Sequence, residues 1–160
     1  RQGVLVVGSN DGSVYALSAS SGSELWAFHT GGPVRSSPLV LRHLRIGGTR
    51  IGVVLVGSDD GRLYALGLQT GALLWSVETG GPVASSPSFA GNVKIAGRRQ
   101  PVVVVGSEDG TLRAFNAGTG APLWSHAAGG PVVASPMVRP SPSRHPGCAA
   151  IVGATPFGSV

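Results

Sequence analysis

Residues 53–87 read VVLVGSDDGRLYALGLQTGALLWSVETGGPVASSP, and variants of the same text occupy residues 4–38 and 102–136. Each copy lies 49 residues after the last, with no insertion or deletion between them. The register holds through the whole unit, at Asp11, Asp60 and Asp109, at Gly22, Gly71 and Gly120, at Trp26, Trp75 and Trp124, and at Pro33, Pro82 and Pro131. A fixed period of this size is the mark of a repeat protein, in which each unit buries its apolar face against the next.

Within each unit, short runs rich in β-branched and aromatic residues alternate with turn chemistry. In the first copy these are Val4 to Val7, Val14 to Leu17 and Leu25 to Phe28, and none shows a sustained helical period. The pairs Asp11-Gly12, Asp60-Gly61 and Asp109-Gly110 predict hairpin turns, because Gly takes φ > 0 without penalty and the Asp carboxylate accepts backbone N–H groups. A fourth run follows each Gly-Gly-Pro, as Ser36 to Leu41, Ser85 to Phe89 and Ser135 to Val138. Four antiparallel strands in roughly 40 to 50 residues make a propeller blade.

Each unit also contains A-x-x-x-x-[ST]-G-x-x-x-W, at Ala16 to Trp26, Ala65 to Trp75 and Ala114 to Trp124, preceded by V-G-S-x-D-G and followed by G-G-P-V. This text resembles the PQQ-like (quinoprotein-type) β-propeller repeat, over about residues 3 to 138. The resemblance implies an all-β fold with Trp26, Trp75 and Trp124, and the turn glycines Gly22, Gly71 and Gly120, docking blade against blade. The family often has Asp two residues after the motif Ala, where this chain has Ser18, Gly67 and Asn116. Repeats are expected at about 3–51, 52–100 and 101–149, with a further one starting at 150–160. Such propellers close with several blades, commonly seven or eight, so the chain reads as an incomplete arc of about three to four blades, a fragment that needs further blades or self-association to complete the ring.

Charged residues make up only 12% of the chain, while Gly reaches 26 and Pro 12, as many short strands joined by tight turns require. The apolar share of 42% argues against disorder. No run approaches the roughly 18 apolar residues of a membrane span. The single Cys148 excludes an internal disulfide.

The placement of charge says more than the net value of +5. Asp11, Asp59, Asp60, Glu108 and Asp109 occupy the Gly-Ser-x-Asp-Gly hairpins, whereas Arg42, Arg45, Arg50, Lys94, Arg98, Arg99, Arg139 and Arg144 fall between the first and second strands of successive blades. These two kinds of connection leave opposite faces of a blade, so the reading is of an acidic face and a basic face. The basic face is a candidate surface for an anionic partner. A nucleic acid is not expected, since no aromatic residues interleave with the arginines to stack bases.

A quinone cofactor and its calcium would need funnel carboxylates, and the only acids outside the hairpins are Glu24 and Glu78. The connections Leu41 to Gly52 and Ala90 to Pro101 hold no carboxylate for a hard cation. His29, His43, His126 and His145 share no repeat position and no ligand spacing. No G-x-S-x-G elbow or phosphate-binding loop is present. The sequence therefore carries no catalytic, cofactor or metal assignment, and whether the parent is an enzyme stays open. The expected function is a non-catalytic propeller scaffold for a protein partner. The alternatives are an accessory propeller fused to an adenylate-forming enzyme or kinase, and a piece of a PQQ-dependent dehydrogenase.

Overall fold

The computed structural model describes residues 3–140 and 149–152, and these form an all-β arc of twisted antiparallel sheets side by side. The first sheet holds β1 (Val4–Gly8), β2 (Ser13–Ser18) and β3 (Glu24–His29) in that order. The second holds β4 (Leu39–Ile46), β5 (Thr49–Ser58), β6 (Arg62–Gly67) and β7 (Leu73–Glu78). The third repeats it with β8 (Ser88–Ile95), β9 (Arg98–Gly106), β10 (Thr111–Asn116) and β11 (Pro122–Ala127). A hairpin of β12 (Met137–Pro140) and β13 (Ala149–Val152) follows. Every pairing is between sequence neighbours, which is the meander of a propeller blade. Arg144, His145 and Cys148, and residues 153–160 of the expected further repeat, lie outside the described residues.

The core sits between the sheets rather than within one of them. On β5, Val53, Val54, Leu55 and Val56 are all fully buried, because the sheets on either side cover both faces of the strand. Alternate residues serve the two joints. Val54, Val56, Tyr64 and Leu66 pack with Val14, Ala16, Trp26 and Val34 of the first blade. Leu44, Val53, Leu55, Leu63 and Ala65 pack with Val83, Val103, Val105, Phe115 and Ala117 toward the third. Truncating one of these leucines to Ala would cost about 2–5 kcal/mol.

One correction to the sequence reading concerns the segments between first and second strands. They are not open connections. β4 and β5 run to a two-residue turn at Gly47-Gly48, and β8 and β9 to one at Ala96-Gly97, with φ positive at all four residues. Turns of that hand match the twist of the flanking strands. Arg42, Arg45, Arg50, Lys94, Arg98 and Arg99 are therefore strand residues on the outer arms of two hairpins, and all six are exposed. Arg139 falls in β12.

Candidate functional site

The residues that repeat are gathered at the joints between blades, where two different latches operate at opposite ends of the sheets. The first is built from the tryptophans. Ala16 stands directly across the ladder from Trp26, Ala65 from Trp75 and Ala114 from Trp124, so a small side chain shares each sheet face with the indole. A register shift follows each of the three alanines. The adjoining turn closes through Gly22 N donating to Ser18 O, Gly71 N to Gly67 O and Gly120 N to Asn116 O, each at 2.8 Å.

From this position the Trp26 Nε1 donates to Leu68 O of the next blade at 3.0 Å, and Trp75 Nε1 to Ala117 O at 3.2 Å. Their rings lie over Gly71 and Gly120, where a β-carbon would stand 2.7 Å and 2.9 Å from ring atoms. The tryptophan of one repeat thus requires the turn glycine of the next. The three are not equally covered. Trp26 is buried at 8% exposure, whereas Trp75 and Trp124 are half-buried.

The second latch is built from the Asp-Gly hairpins. Asp11, Asp60 and Asp109 each accept, through Oδ1, the backbone N–H two residues on, at 2.8, 3.0 and 2.9 Å, which closes the turn over Gly12, Gly61 and Gly110, all at positive φ. The other oxygen reaches the residue four positions on, which is Tyr15, Tyr64 or Arg113, at 2.8, 2.6 and 2.7 Å. Asp60 Oδ2 also accepts Gly31 N of the preceding connection at 2.8 Å. The Gly-Gly-Pro-Val segment lies across both hairpins. Val34 N donates to Ser9 O of its own blade, and Pro33 O accepts Asp59 N of the next. The same pair of bonds recurs at Val83 and Pro82. Gly57 is needed because a β-carbon there would come within 2.3 Å of Val83 Cγ1.

The serines before each proline tie the first strands together. Ser37 N donates to Ser86 Oγ and Ser86 N to Ser135 Oγ, both at 2.9 Å and both across one repeat. Buried Ser36 accepts Gly57 N, and Ser85 accepts Gly106 N, at 3.1 and 2.8 Å.

Electrostatics at the Asp-Gly end follow from these contacts. The hydrogen bond from Tyr15, with those from Ser13 and Ser9, lowers the Asp11 pKa. Burial works to raise that of Asp109, but the hydrogen bond and charge of Arg113 outweigh it and the net shift is downward. Tyr64 is pushed up to about 12, first by burial and then by its bond to the Asp60 carboxylate. Arginines interleave with the expected acidic face. Arg35 bridges Asp59 of one blade and Glu108 of the next at 2.8 and 3.1 Å, and Arg62 and Arg113 pair with Glu78 and Asp109. Three arginines of the same end thus offset part of that acidity on the spot. Sequence reasoning missed Arg35, whose two partners lie in different blades, and it missed the role of Tyr15, Tyr64 and Arg113.

At the opposite end stand the six exposed basic residues, with Arg45 directly across the ladder from Arg50 and Lys94 from Arg99. Among the described residues no three His, Cys, Asp or Glu side chains come together to hold a metal ion. No helix there is long and apolar enough to cross a membrane.

The family model described as outer membrane protein assembly factor BamB matches residues 1–47 and 41–156. Among solved structures, the crystal structure of BamB from Moraxella catarrhalis superposes with a TM-score of 0.61 at 24% sequence identity, over 86% of this chain. The chain spans 41% of the length of that structure. No curated protein matches the sequence.

Proposed function

The chain belongs to the BamB-like family of PQQ-like propeller repeats, and from that premise we propose that it is a non-catalytic scaffold, holding its hairpin ends in fixed relation for a protein partner. The name of the family model, an assembly factor, describes a role of this class. One observation carries the reading. The aromatic and polar side chains that the sequence repeats are spent on tying one blade to the next, as in Trp26 to Leu68, Gly31 to Asp60 and Ser37 to Ser86. What such joints produce is a stiff array of hairpins. Rigid presentation lowers the ordering cost of binding and suits a docking platform. The partner on this reading carries acidic groups that meet the basic end, and further blades complete the arc.

The test is site-specific photo-crosslinking in the full-length protein within its own cell, with the reactive side chain placed at Thr49, Arg98 and Asn10. Defined adducts to one or a few proteins are expected. A folded protein that yields no protein adduct from any of the three positions would contradict the scaffold reading.

A further inference from the structure

The two hairpins β4–β5 and β8–β9 leave the same end of neighbouring blades, and each carries like charges face to face. Arg45 opposes Arg50 and Lys94 opposes Arg99, at the same position of two successive repeats. Directly opposed β-carbons are about 5 Å apart, and like charges there destabilise the sheet. Residues 39–53, 66–74, 90–102 and 115–123, which make up this end of the second and third blades, include no Asp or Glu. The contrast with the other end is direct. There Arg35, Arg62 and Arg113 sit among the acids and pair with them. At the basic end Arg99 Nη1 donates to Asn92 O at 3.2 Å, which orients one guanidinium against the backbone of its own hairpin.

We infer that this end is the docking surface for an extended acidic segment of the protein partner, lying across both hairpins with its carboxylates on the Arg45/Arg50 and Lys94/Arg99 pairs. This deepens the scaffold reading and rests on it. Charge complementarity selects the occupant: guanidinium groups take carboxylates two hydrogen bonds at a time, and three of the four paired residues are arginines. A nucleic acid fits less well, since no Phe, Tyr or Trp lies in residues 41–52 or 90–101 to stack on bases. A bilayer also fits less well, since the turns Gly47-Gly48 and Ala96-Gly97 offer no large apolar side chain to enter the headgroup layer. The joints hold the two hairpins in place before the partner arrives, and like charges gathered at one end raise the local potential that draws an anionic segment.

The experiment measures binding of a short fluorescent poly-glutamate peptide to the full-length protein, with poly-glutamine as the neutral control. Variants are Arg45→Glu, Lys94→Glu, the two together, and Arg62→Glu as a charge-matched change at the other end, each with its melting curve. Each single reversal at the basic end is expected to weaken poly-glutamate binding about threefold and the double about tenfold, as the loss of one and of two exposed ion pairs would. The salt dependence should fall in parallel, and Arg62→Glu should change neither. Poly-glutamate binding that the double reversal leaves intact overturns the inference. So does a protein that ignores poly-glutamate, whether or not it binds phosphatidylglycerol vesicles or oligo-dT. If the cellular adducts persist in the double variant, the docking surface is refuted and the scaffold stands; if no wild-type adduct forms at all, the scaffold itself fails.

Discussion

The indole of Trp26 lies so close to Gly71 that a β-carbon on the glycine would stand 2.7 Å from Cδ2 and Cε3 of the ring. Gly22 occupies the same repeat position with a similar φ of +72° but has nothing within 4 Å. The two glycines separate backbone strain from docking. Gly22→Ala should cost about 1–2 kcal/mol from the left-handed conformation alone. Gly71→Ala should cost about 3 kcal/mol or more, because the indole must also shift from its carbonyl partner. Denaturant unfolding of the two variants measures the difference, and equal costs would remove the ring from the explanation.

Burial ranks the tryptophans. Trp26→Ala should destabilise by about 3–5 kcal/mol, as for other buried aromatic truncations. Trp75→Ala should cost less, because its ring is half-buried although its bond to Ala117 O has the same form. Paired thermal melts give the order, and a larger loss at Trp75 would contradict it.

Tyr64 sets an alkaline limit. Its folded-state pKa is raised to about 12 from 10.0, so the neutral phenol stabilises the fold below pH 10. That contribution is lost as the pH rises from 10 through about 12, where the unfolded chain ionises first. Tyr64→Phe should lower stability at neutral pH by about 1 kcal/mol, through the lost bond to Asp60, and should flatten the decline above pH 10. Unfolding curves at pH 7, 10 and 11 for both proteins test the sign. An unchanged alkaline slope in the variant would assign the decline to other groups.

The hairpin turns differ in one residue that bears strain. Ala96 takes φ +49°, where the equivalent position of the preceding repeat is Gly47. Ala96→Gly should therefore stabilise by up to about 1 kcal/mol, although glycine also loosens the unfolded chain. A melting temperature below that of the parent would mean the entropy term prevails.

The sequence showed the blade because its punctuation is local. Each Asp-Gly, each Thr-Gly or Ser-Gly turn and each Gly-Gly-Pro acts within a few residues, and the constant spacing of 49 ties them to one period. The hairpin tips were misread for the same reason. Arg42, Arg45 and Arg50 look like loop residues until Gly47-Gly48 is seen to close a turn so tight that both arms stay in the ladder. The joints were only half legible. That tryptophans recur is visible, but that Trp26 reaches Leu68 O, 42 residues on, depends on how the next blade is placed. Arg35 is beyond sequence reading, since its carboxylates lie in two different hairpins, one of them 73 residues away.

The central claim is that the joints hold the basic hairpins as one stiff array. Spin labels at Thr49→Cys and Arg98→Cys, equivalent positions on neighbouring blades, report it directly in the full-length protein with its native cysteines, Cys148 among them, replaced by Ser. Pulsed electron–electron resonance should give one narrow distance distribution, unchanged when poly-glutamate is added and broadened by Trp75→Ala. A broad or two-peaked distribution in the parent protein would show that the blades move independently, and the rigid scaffold would be wrong.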